Sequence, residues 1–264
     1  MDWAKFAVFQ IVVSSSQLAG ACANELADVD SDALNANRTW FSGGSGMIVE
    51  GRVKPRTVTW ALSGWSGLAL IGSFVLAFLM DTGVLSLLLM TLGLFLALSY
   101  SVGPMRFSYR GLGEVVMAFM VSFLTPLVSF YILFGTLHEL IVWAALPIVF
   151  QMLGLMMVVE YPDRAADLAS GKRNLVVRFG STRSWRLGIL MLVIGGAIAL
   201  YSVRLGLPIW AGVAPGAVLF AEALVFWALG RVPDSKSKNF WSTAISCGFF
   251  VLVILVIAAT LYRA

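Results

Sequence analysis

Residues 4–32 read AKFAVFQIVVSSSQLAGACANELADVDSD, an apolar run that passes directly into an acidic cluster. The run at 4–23 is long enough to cross a bilayer as a helix. The same pattern recurs later, where the apolar run 139–160 is followed by EYPDRAAD at 160–167. In both clusters acidic residues recur every fourth position, which on a helix places them on one face, about 6 Å apart along the axis. Acidic residues next to membrane spans usually mark a function.

The composition indicates an integral membrane protein. Of 264 residues 59% are hydrophobic and only 12% are charged, and the mean hydropathy is +0.90. A soluble domain carries about a quarter charged residues. We predict an all-α integral membrane protein, a single domain over 1–264 in which about eight transmembrane helices surround a central cavity. The predicted spans are 4–23, 57–80, 83–99, 113–136, 139–160, 183–205, 208–230 and 241–262.

The net charge of +4 does not indicate a nucleic-acid partner, because the basic residues follow the membrane topology. Fifteen of the eighteen Lys and Arg residues fall in the loops after the first, third, fifth and seventh predicted helices. Loops rich in Lys and Arg face the cytoplasm. We therefore expect both acidic clusters on the cytoplasmic side and no binding of nucleic acid.

The acidic clusters are the best candidates for a metal site. Asn24, Asp28 and Asp32 form an i, i+4, i+8 series, and Asp163 and Asp167 form an i, i+4 pair. Carboxylate and amide oxygens are ligands that suit Mg²⁺, which typically takes one or two carboxylates together with phosphate oxygens of a substrate. Two opposed clusters at one membrane face predict a site that grips a diphosphate through Mg²⁺.

Basic side chains close to these clusters are candidates for binding the phosphate groups. Lys172 and Arg173 follow the second cluster directly, and Arg106 and Arg110 lie in the loop between the third and fourth predicted helices. Lys and Arg bind phosphate oxygens and stabilise the charge of a departing diphosphate. The same residues would also satisfy the positive-inside pattern without any catalytic role.

The two acidic motifs resemble the signatures of the UbiA-type intramembrane prenyltransferases. That family has Asn-x-x-x-Asp-x-x-x-Asp after one helix and Asp-x-x-x-Asp after a later one, and both patterns are present here. The sequence Tyr100-Ser-Val-Gly-Pro104, followed by Arg110-Gly-Leu-Gly-Glu114, is similar to the family's loop between these motifs. GKRNLVVRFG at 171–180 resembles the corresponding run in the dihydroxynaphthoate prenyltransferases of menaquinone synthesis.

The resemblance implies an α-helical bundle with Mg²⁺ as cofactor. It also implies transfer of a polyprenyl group from a prenyl diphosphate to a small aromatic acceptor, with dihydroxynaphthoate as the first candidate. It implies four catalytic aspartates that also bind metal, and six substrate-binding residues. The aspartates are Asp28, Asp32, Asp163 and Asp167; the others are Asn24 (also a metal ligand), Tyr100, Arg106, Arg110, Lys172 and Arg173. Family members usually have nine spanning helices, and this chain is expected to begin at the second.

Three alternatives stay open at this level. The same ionisation chemistry could serve hydroxybenzoate, homogentisate, a tetrapyrrole or a lipid alcohol. An ion-coupled transporter or channel would use the same acids as an ion pathway, with Glu222 in the seventh predicted helix as a relay. A homologue without the family's first helix could bind prenyl diphosphate without turnover. Glu222 could equally be a base, an acceptor contact or a residue that hydrogen-bonds between helices.

Overall fold

A computed structural model describes residues 2–35 and 44–262, and all regular secondary structure within these ranges is helical. In chain order the helices are α1 (Trp3–Ala27), α2 (Val29–Leu34), α3 (Pro55–Leu79), α4 (Val84–Ser99), α5 (Phe107–Arg110), α6 (Gly113–Phe134), α7 (Glu139–Glu160), α8 (Arg164–Ala169), α9 (Leu175–Phe179), α10 (Ser181–Leu205), α11 (Ile209–Leu229) and α12 (Lys236–Tyr262). Seven of them are long and apolar enough to cross a membrane, and α4, with 16 residues, is a shorter apolar helix. The predicted all-α membrane fold is confirmed.

The spanning helices form two halves that meet along α6 and α7. In the first half α1 packs against α3 and α4, and in the second α10 packs against α7 and α11, with α12 on the outside. Helix α7 is the central element, since 61% of its most apolar stretch is buried, against 17% for α12. Gly154 of α7 makes this possible, because a Cβ there would lie 3.3 Å from the carbonyl oxygen of Gly188 in α10. The outer faces expose Leu and Trp side chains, as expected for helices that contact lipid.

Irregular hydrogen bonding interrupts α6 where it borders the interior of the first half. Residues Ala118–Leu124 are π-helical, between ordinary α-helical turns. A π-helical turn inserts an extra residue into the helix and changes which side chains face inward, and such turns are frequent at functional sites. In this chain the π-helical stretch contributes Met120, Val121 and Leu124 to the wall of a cavity.

The four short helices position the polar residues. Helices α2 and α8 contact each other, and α9 contacts α8, so the segments that follow α1 and α7 meet at one end of the bundle. Helix α1 ends at Ala27, and Asp28 caps it before α2 begins. The series from Asn24 to Asp32 therefore extends over two helices joined at Asp28. This break turns the second half of the motif towards α8.

Candidate functional site

A cavity of about 550 Å³ opens between α1, α4, α6 and the end of α7. At the end near α2 and α8 its lining is polar, and we call this the polar end. The charged side chains that line the cavity are Asp28, Asp32, Glu160, Asp163, Asp167 and Lys172. Farther along α1 and α6 the lining is mainly apolar and includes Phe9, Val12, Leu124 and Val128. The predicted motifs from opposite halves of the chain thus line one cavity.

Lys172 joins the two acidic motifs directly. Its ammonium nitrogen lies 2.7 Å from a carboxylate oxygen of Asp28 and 3.3 Å from one of Asp167. The Lys172 side chain is only 11% exposed and both carboxylates are buried, so water screens these ion pairs poorly. The hydroxyl of Tyr109 in α5 donates to the other oxygen of Asp28 at 2.9 Å. Asp28 is therefore the residue on which both sides of the site converge.

The burial of this cluster shifts several pKa values. Burial lowers the pKa of Lys172, but the carboxylates of Asp28 and Asp167 outweigh this effect and leave the pKa raised, so Lys172 stays protonated. Burial raises the pKa of Asp167, although Lys172 and the amide of Asn174 counteract part of the rise. Burial and the negative charge of Asp28 raise the pKa of Tyr109, which keeps its proton for the hydrogen bond.

Three asparagine side chains form further hydrogen bonds at the polar end. The side-chain N–H of Asn174 donates to Asp167 at 2.7 Å, and that of Asn35 donates to Asp163 at 2.6 Å. Asn24 accepts a hydrogen bond from the Ser101 hydroxyl at 2.6 Å, which connects the first motif to the segment after α4.

Asp32 lies against Gly44. A Cβ on Gly44 would lie only 1.9 Å from an oxygen of Asp32, so the close contact requires a glycine. Tyr100 also lines the cavity, and its backbone carbonyl accepts a hydrogen bond from Ser108 at 2.8 Å. The structure therefore brings Asn24, the four aspartates, Tyr100 and Lys172 together at one cavity.

The three predicted arginines lie outside the cavity lining, and their roles stay predictions. The guanidinium of Arg106 lies 3.8 Å above the ring of Tyr109, the residue that donates to Asp28. Arg110 donates to the carbonyl of Pro104 at 2.9 Å. The side chain of Arg173 is exposed, next to the partly buried Lys172 and the buried Asn174.

Glu114 and Gly111 organise the segment that carries Lys172 and Asn174, and sequence reasoning assigned neither of them a role. Glu114 is fully buried, and its carboxylate accepts a hydrogen bond from the backbone N–H of Leu175. Gly111 has a φ of +75°, and a Cβ there would lie 2.6 Å from the carbonyl oxygen of Arg173. These contacts press the 171–175 segment against the start of α6. The partners are some sixty residues apart in sequence, so no local pattern reveals them.

We expect Glu114→Leu to lower both stability and activity, because it leaves the N–H of Leu175 without an acceptor in the interior. An unsatisfied buried group costs about 1–3 kcal/mol. Glu114→Gln is the matched control, since glutamine keeps a carbonyl oxygen for Leu175 and offers an N–H to the neighbouring Glu160. Thermal unfolding of both purified variants distinguishes the two cases. Equal destabilisation by Leu and Gln would show that the charge of Glu114, rather than this hydrogen bond, is what matters.

Glu222 lies away from the cavity, in the packed interior of the second half. It is fully buried and accepts hydrogen bonds from Gln151 in α7 and Ser246 in α12, each at 2.7 Å. Of the roles considered for Glu222, the structure matches the one in which it hydrogen-bonds between helices. It does not line the cavity, so a relay through Glu222 has no connection to the polar end.

The donors at the polar end suit a hard divalent cation that is shared with a phosphorylated ligand. Four aspartates, Glu160 and one ammonium group line the cavity, so acidic side chains outnumber basic ones. Among the described residues, no three acidic, histidine or cysteine side chains converge as a ready-made metal site would. Mg²⁺ usually binds one or two carboxylates and completes its shell with water and substrate phosphates, so the oxygen donors fit this ion. They do not fit a metal that requires a closed protein cage.

The fold is similar to that of several solved structures. The chain is similar to a UbiA homologue from Aeropyrum pernix K1, with a TM-score of 0.69 and 18% identity over 96% of this chain and 91% of that one. It is also similar to a digeranylgeranylglyceryl phosphate synthase, with a TM-score of 0.64 and 16% identity over 100% of this chain and 88% of that one. A UbiA homologue from Archaeoglobus fulgidus, solved with GPP and Mg²⁺, matches with a TM-score of 0.59 and 16% identity over 94% and 88% of the two chains.

Comparison with protein families assigns the chain to a family but not to the menaquinone subtype. No curated protein sequence matches it significantly. The model of the UbiA prenyltransferase family matches residues 1–244, which include both acidic motifs and every spanning helix except most of α12. With the fold and the paired motifs in agreement, this protein belongs to the UbiA prenyltransferase family.

Proposed function

We propose that this protein transfers a polyprenyl group from a prenyl diphosphate to a small aromatic acceptor in a Mg²⁺-dependent reaction, with dihydroxynaphthoate as the first candidate acceptor. One observation carries the proposal: five acidic side chains, four of them aspartates, and one ammonium group line the polar end of a cavity that is otherwise mainly apolar. The polar end suits a metal-bound diphosphate, and the apolar part suits an isoprenoid chain. The Archaeoglobus fulgidus homologue was solved with GPP and Mg²⁺, which supports the same ligand class here.

The residues that would hold Mg²⁺ and the diphosphate come from both motifs. Asp28 and Asp32 follow α1, Asp163 and Asp167 follow α7, and Asn24 contributes an amide oxygen. Bound Mg²⁺ supplies positive charge that makes diphosphate a better leaving group. Lys172, held between Asp28 and Asp167, adds a further positive charge at the same place. Arg173 and Arg110, at the surface of the same end, would attract the anionic substrate at longer range.

The reaction begins when the allylic C–O bond of the prenyl diphosphate breaks and its electron pair leaves with the diphosphate. The remaining allylic carbocation is attacked by a carbon atom of an electron-rich aromatic ring, and a new C–C bond forms. Loss of a ring proton, or of a carboxyl group as CO₂, restores the aromatic ring. Lys172 contributes by stabilising the negative charge that develops on the departing diphosphate.

The apolar walls protect the carbocation from water. Phe9, Val12, Leu124 and Val128 are each at most 4% exposed and line the part of the cavity remote from the acids. A cavity without water prevents hydrolysis of a reactive intermediate. The same walls offer the isoprenoid chain an apolar surface, and the bilayer around the bundle can take up any longer part of it.

The polar end is proposed to face the cytoplasm. The acidic motifs follow α1 and α7, and the loops at these two ends carry most of the Lys and Arg residues of the chain. By the positive-inside pattern these loops are cytoplasmic, so a water-soluble diphosphate head group would enter from that side.

Product mass spectrometry on the detergent-purified protein tests the proposal. The protein would be supplied with geranyl, geranylgeranyl or longer prenyl diphosphates, with Mg²⁺ or EDTA. The acceptors would be 1,4-dihydroxy-2-naphthoate, 4-hydroxybenzoate, homogentisate and a lipid alcohol. We expect a prenylated aromatic product only with Mg²⁺. A product from the lipid alcohol alone would overturn the aromatic acceptor and keep the transferase. Diphosphate release without any product would contradict both.

A further inference from the structure

All four carboxylate oxygens of Asp28 and Asp167 have partners within the chain. The ammonium nitrogen of Lys172 lies 2.7 Å from one oxygen of Asp28 and 3.3 Å from one of Asp167. The second oxygen of Asp28 accepts from the Tyr109 hydroxyl at 2.9 Å, and that of Asp167 accepts from the Asn174 amide at 2.7 Å. Of these partners Lys172 alone carries a charge. Its ammonium group therefore lies between the two acidic motifs as a cation shared by both.

The neutral partners and Lys172 differ in how they tolerate a divalent cation. A carboxylate oxygen has lone pairs for a neutral donor and a metal ion together, and such hydrogen bonds commonly orient the carboxylates that bind metals. An ammonium group and Mg²⁺ repel each other instead. The Lys172 side chain is only 11% exposed, so water screens little of this repulsion. A cation bound by both Asp28 and Asp167 therefore has to displace Lys172, whereas the two neutral donors can stay.

The backbone around Lys172 is held in place, so only the side chain has to move. The N–H of Lys172 donates to the carbonyl of Asp167 at 2.9 Å. Three residues farther on, the N–H of Leu175 donates to the buried carboxylate of Glu114. The lysine side chain is a flexible four-carbon chain, and its ammonium group can reach a new partner while the backbone stays where it is.

We propose that Lys172 occupies the place of a divalent cation between the two motifs and gives it up when a diphosphate enters the cavity. The inference rests on the proposed function, from which it takes the metal-bound diphosphate. The diphosphate oxygens offer the ammonium group a new anionic partner, and charge-assisted hydrogen bonds to phosphate are strong. Asp28 and Asp167 then bind Mg²⁺ without a competing charge. Binding of the metal and binding of the diphosphate are thereby coupled, and each strengthens the other.

Titration of the detergent-purified protein with Mn²⁺ alone tests this inference, with the free ion measured by EPR spectroscopy. Mn²⁺ prefers the same oxygen ligands as Mg²⁺. We expect Lys172→Met to bind Mn²⁺ at least about tenfold more tightly than the wild type, because a charge within a few ångströms changes the affinity of a carboxylate for a cation by about that factor. Lys172→Gln, whose amide can still donate to the carboxylates, should change in the same direction. A lysine that only held the motifs together would give the opposite result, since its loss would weaken metal binding.

Two controls locate the effect. Lys54→Met removes an exposed lysine at the start of α3, and we expect its affinity for Mn²⁺ to stay within about twofold of the wild type, since solvent screens exposed charges. Asp28→Asn combined with Lys172→Met should abolish the gain, because the displaced contact was made to Asp28. Melting temperatures show whether each variant is folded. Mg²⁺ alone should raise the melting temperature of Lys172→Met more than that of the wild type.

Unchanged or weaker binding of Mn²⁺ in both folded Lys172 variants would overturn the inference, as would a gain that persists in the double variant. The titration contains neither a prenyl donor nor an acceptor, so its result is separate from that of the product assay. A gain in Mn²⁺ affinity without any prenylated product would support the displacement of Lys172 and overturn the proposed transfer.

Discussion

Asp28→Asn is expected to reduce kcat/KM for prenyl transfer by about a thousandfold or more, while the protein stays folded and inserted in the membrane. Asp28 is 4% exposed, and its two oxygens contact Lys172 and Tyr109. The substitution keeps the size of the side chain and removes the charge that a metal-bound diphosphate requires. Lys172 loses one of its two carboxylate partners and keeps Asp167, so we expect a lower melting temperature than in the wild type, but a smaller loss than in Lys172→Met. Thermal unfolding, and turnover with saturating Mg²⁺, measure the two parts of this prediction separately.

Asp30→Asn is the matched control, because Asp30 lies two residues away in the same motif segment but is exposed and does not line the cavity. It loses the same charge at almost the same place in the chain, and we expect normal turnover. If Asp28→Asn retained turnover close to the wild type, the assignment of the polar end as the catalytic site would be wrong.

Lys172→Met is expected to impair the protein in two ways. It leaves the buried carboxylates of Asp28 and Asp167 without their counter-charge, and breaking a buried ion pair typically costs about 3–5 kcal/mol. It also removes a positive charge from the site at which the diphosphate leaves, so we expect kcat to fall by about a hundredfold. Thermal unfolding without Mg²⁺ and steady-state kinetics measure these effects.

A distinctive result is expected when Mg²⁺ and a prenyl diphosphate are added together. The Mg²⁺ that accompanies the diphosphate would supply positive charge to the same carboxylates, so the two ligands together should raise the melting temperature of Lys172→Met more than that of the wild type. Lys54→Met, which removes an exposed lysine at the start of α3, should behave like the wild type in both assays. A Lys172→Met protein with unchanged melting temperature and turnover would contradict the role assigned to Lys172.

The spanning helices were predictable because hydropathy reports the burial of a segment in lipid, whatever its partners are. Each of the eight predicted spans corresponds to one helix, seven of them long and the eighth the shorter α4, but the ends differ. The first span was predicted to end at residue 23 and the last to begin at 241, whereas α1 continues to Ala27 and α12 begins at Lys236. Helices can extend beyond the hydrocarbon layer through polar residues, so an apolar run marks only their central part.

The acidic motifs were predictable because each is local, with a fixed spacing after an apolar run. Their surroundings were not. Tyr109, Asn174 and Glu114 all support the site through contacts whose partners lie from seven to eighty-one residues away in sequence. Glu222 was equally undecided in the sequence, because its partners Gln151 and Ser246 come from two other helices. Such contacts depend on how helices pack, which no spacing rule encodes.

Isothermal titration of the detergent-purified protein with geranylgeranyl thiolodiphosphate, a substrate analogue that reacts slowly, tests the central claim most directly. We expect saturable binding with Mg²⁺ and loss of binding in EDTA. We expect the same loss with Mg²⁺ when either motif is changed, in Asp28→Asn or in Asp167→Asn. Metal-independent binding, or binding that survives both substitutions, would contradict the claim that the two facing acidic motifs hold a metal-bound diphosphate together.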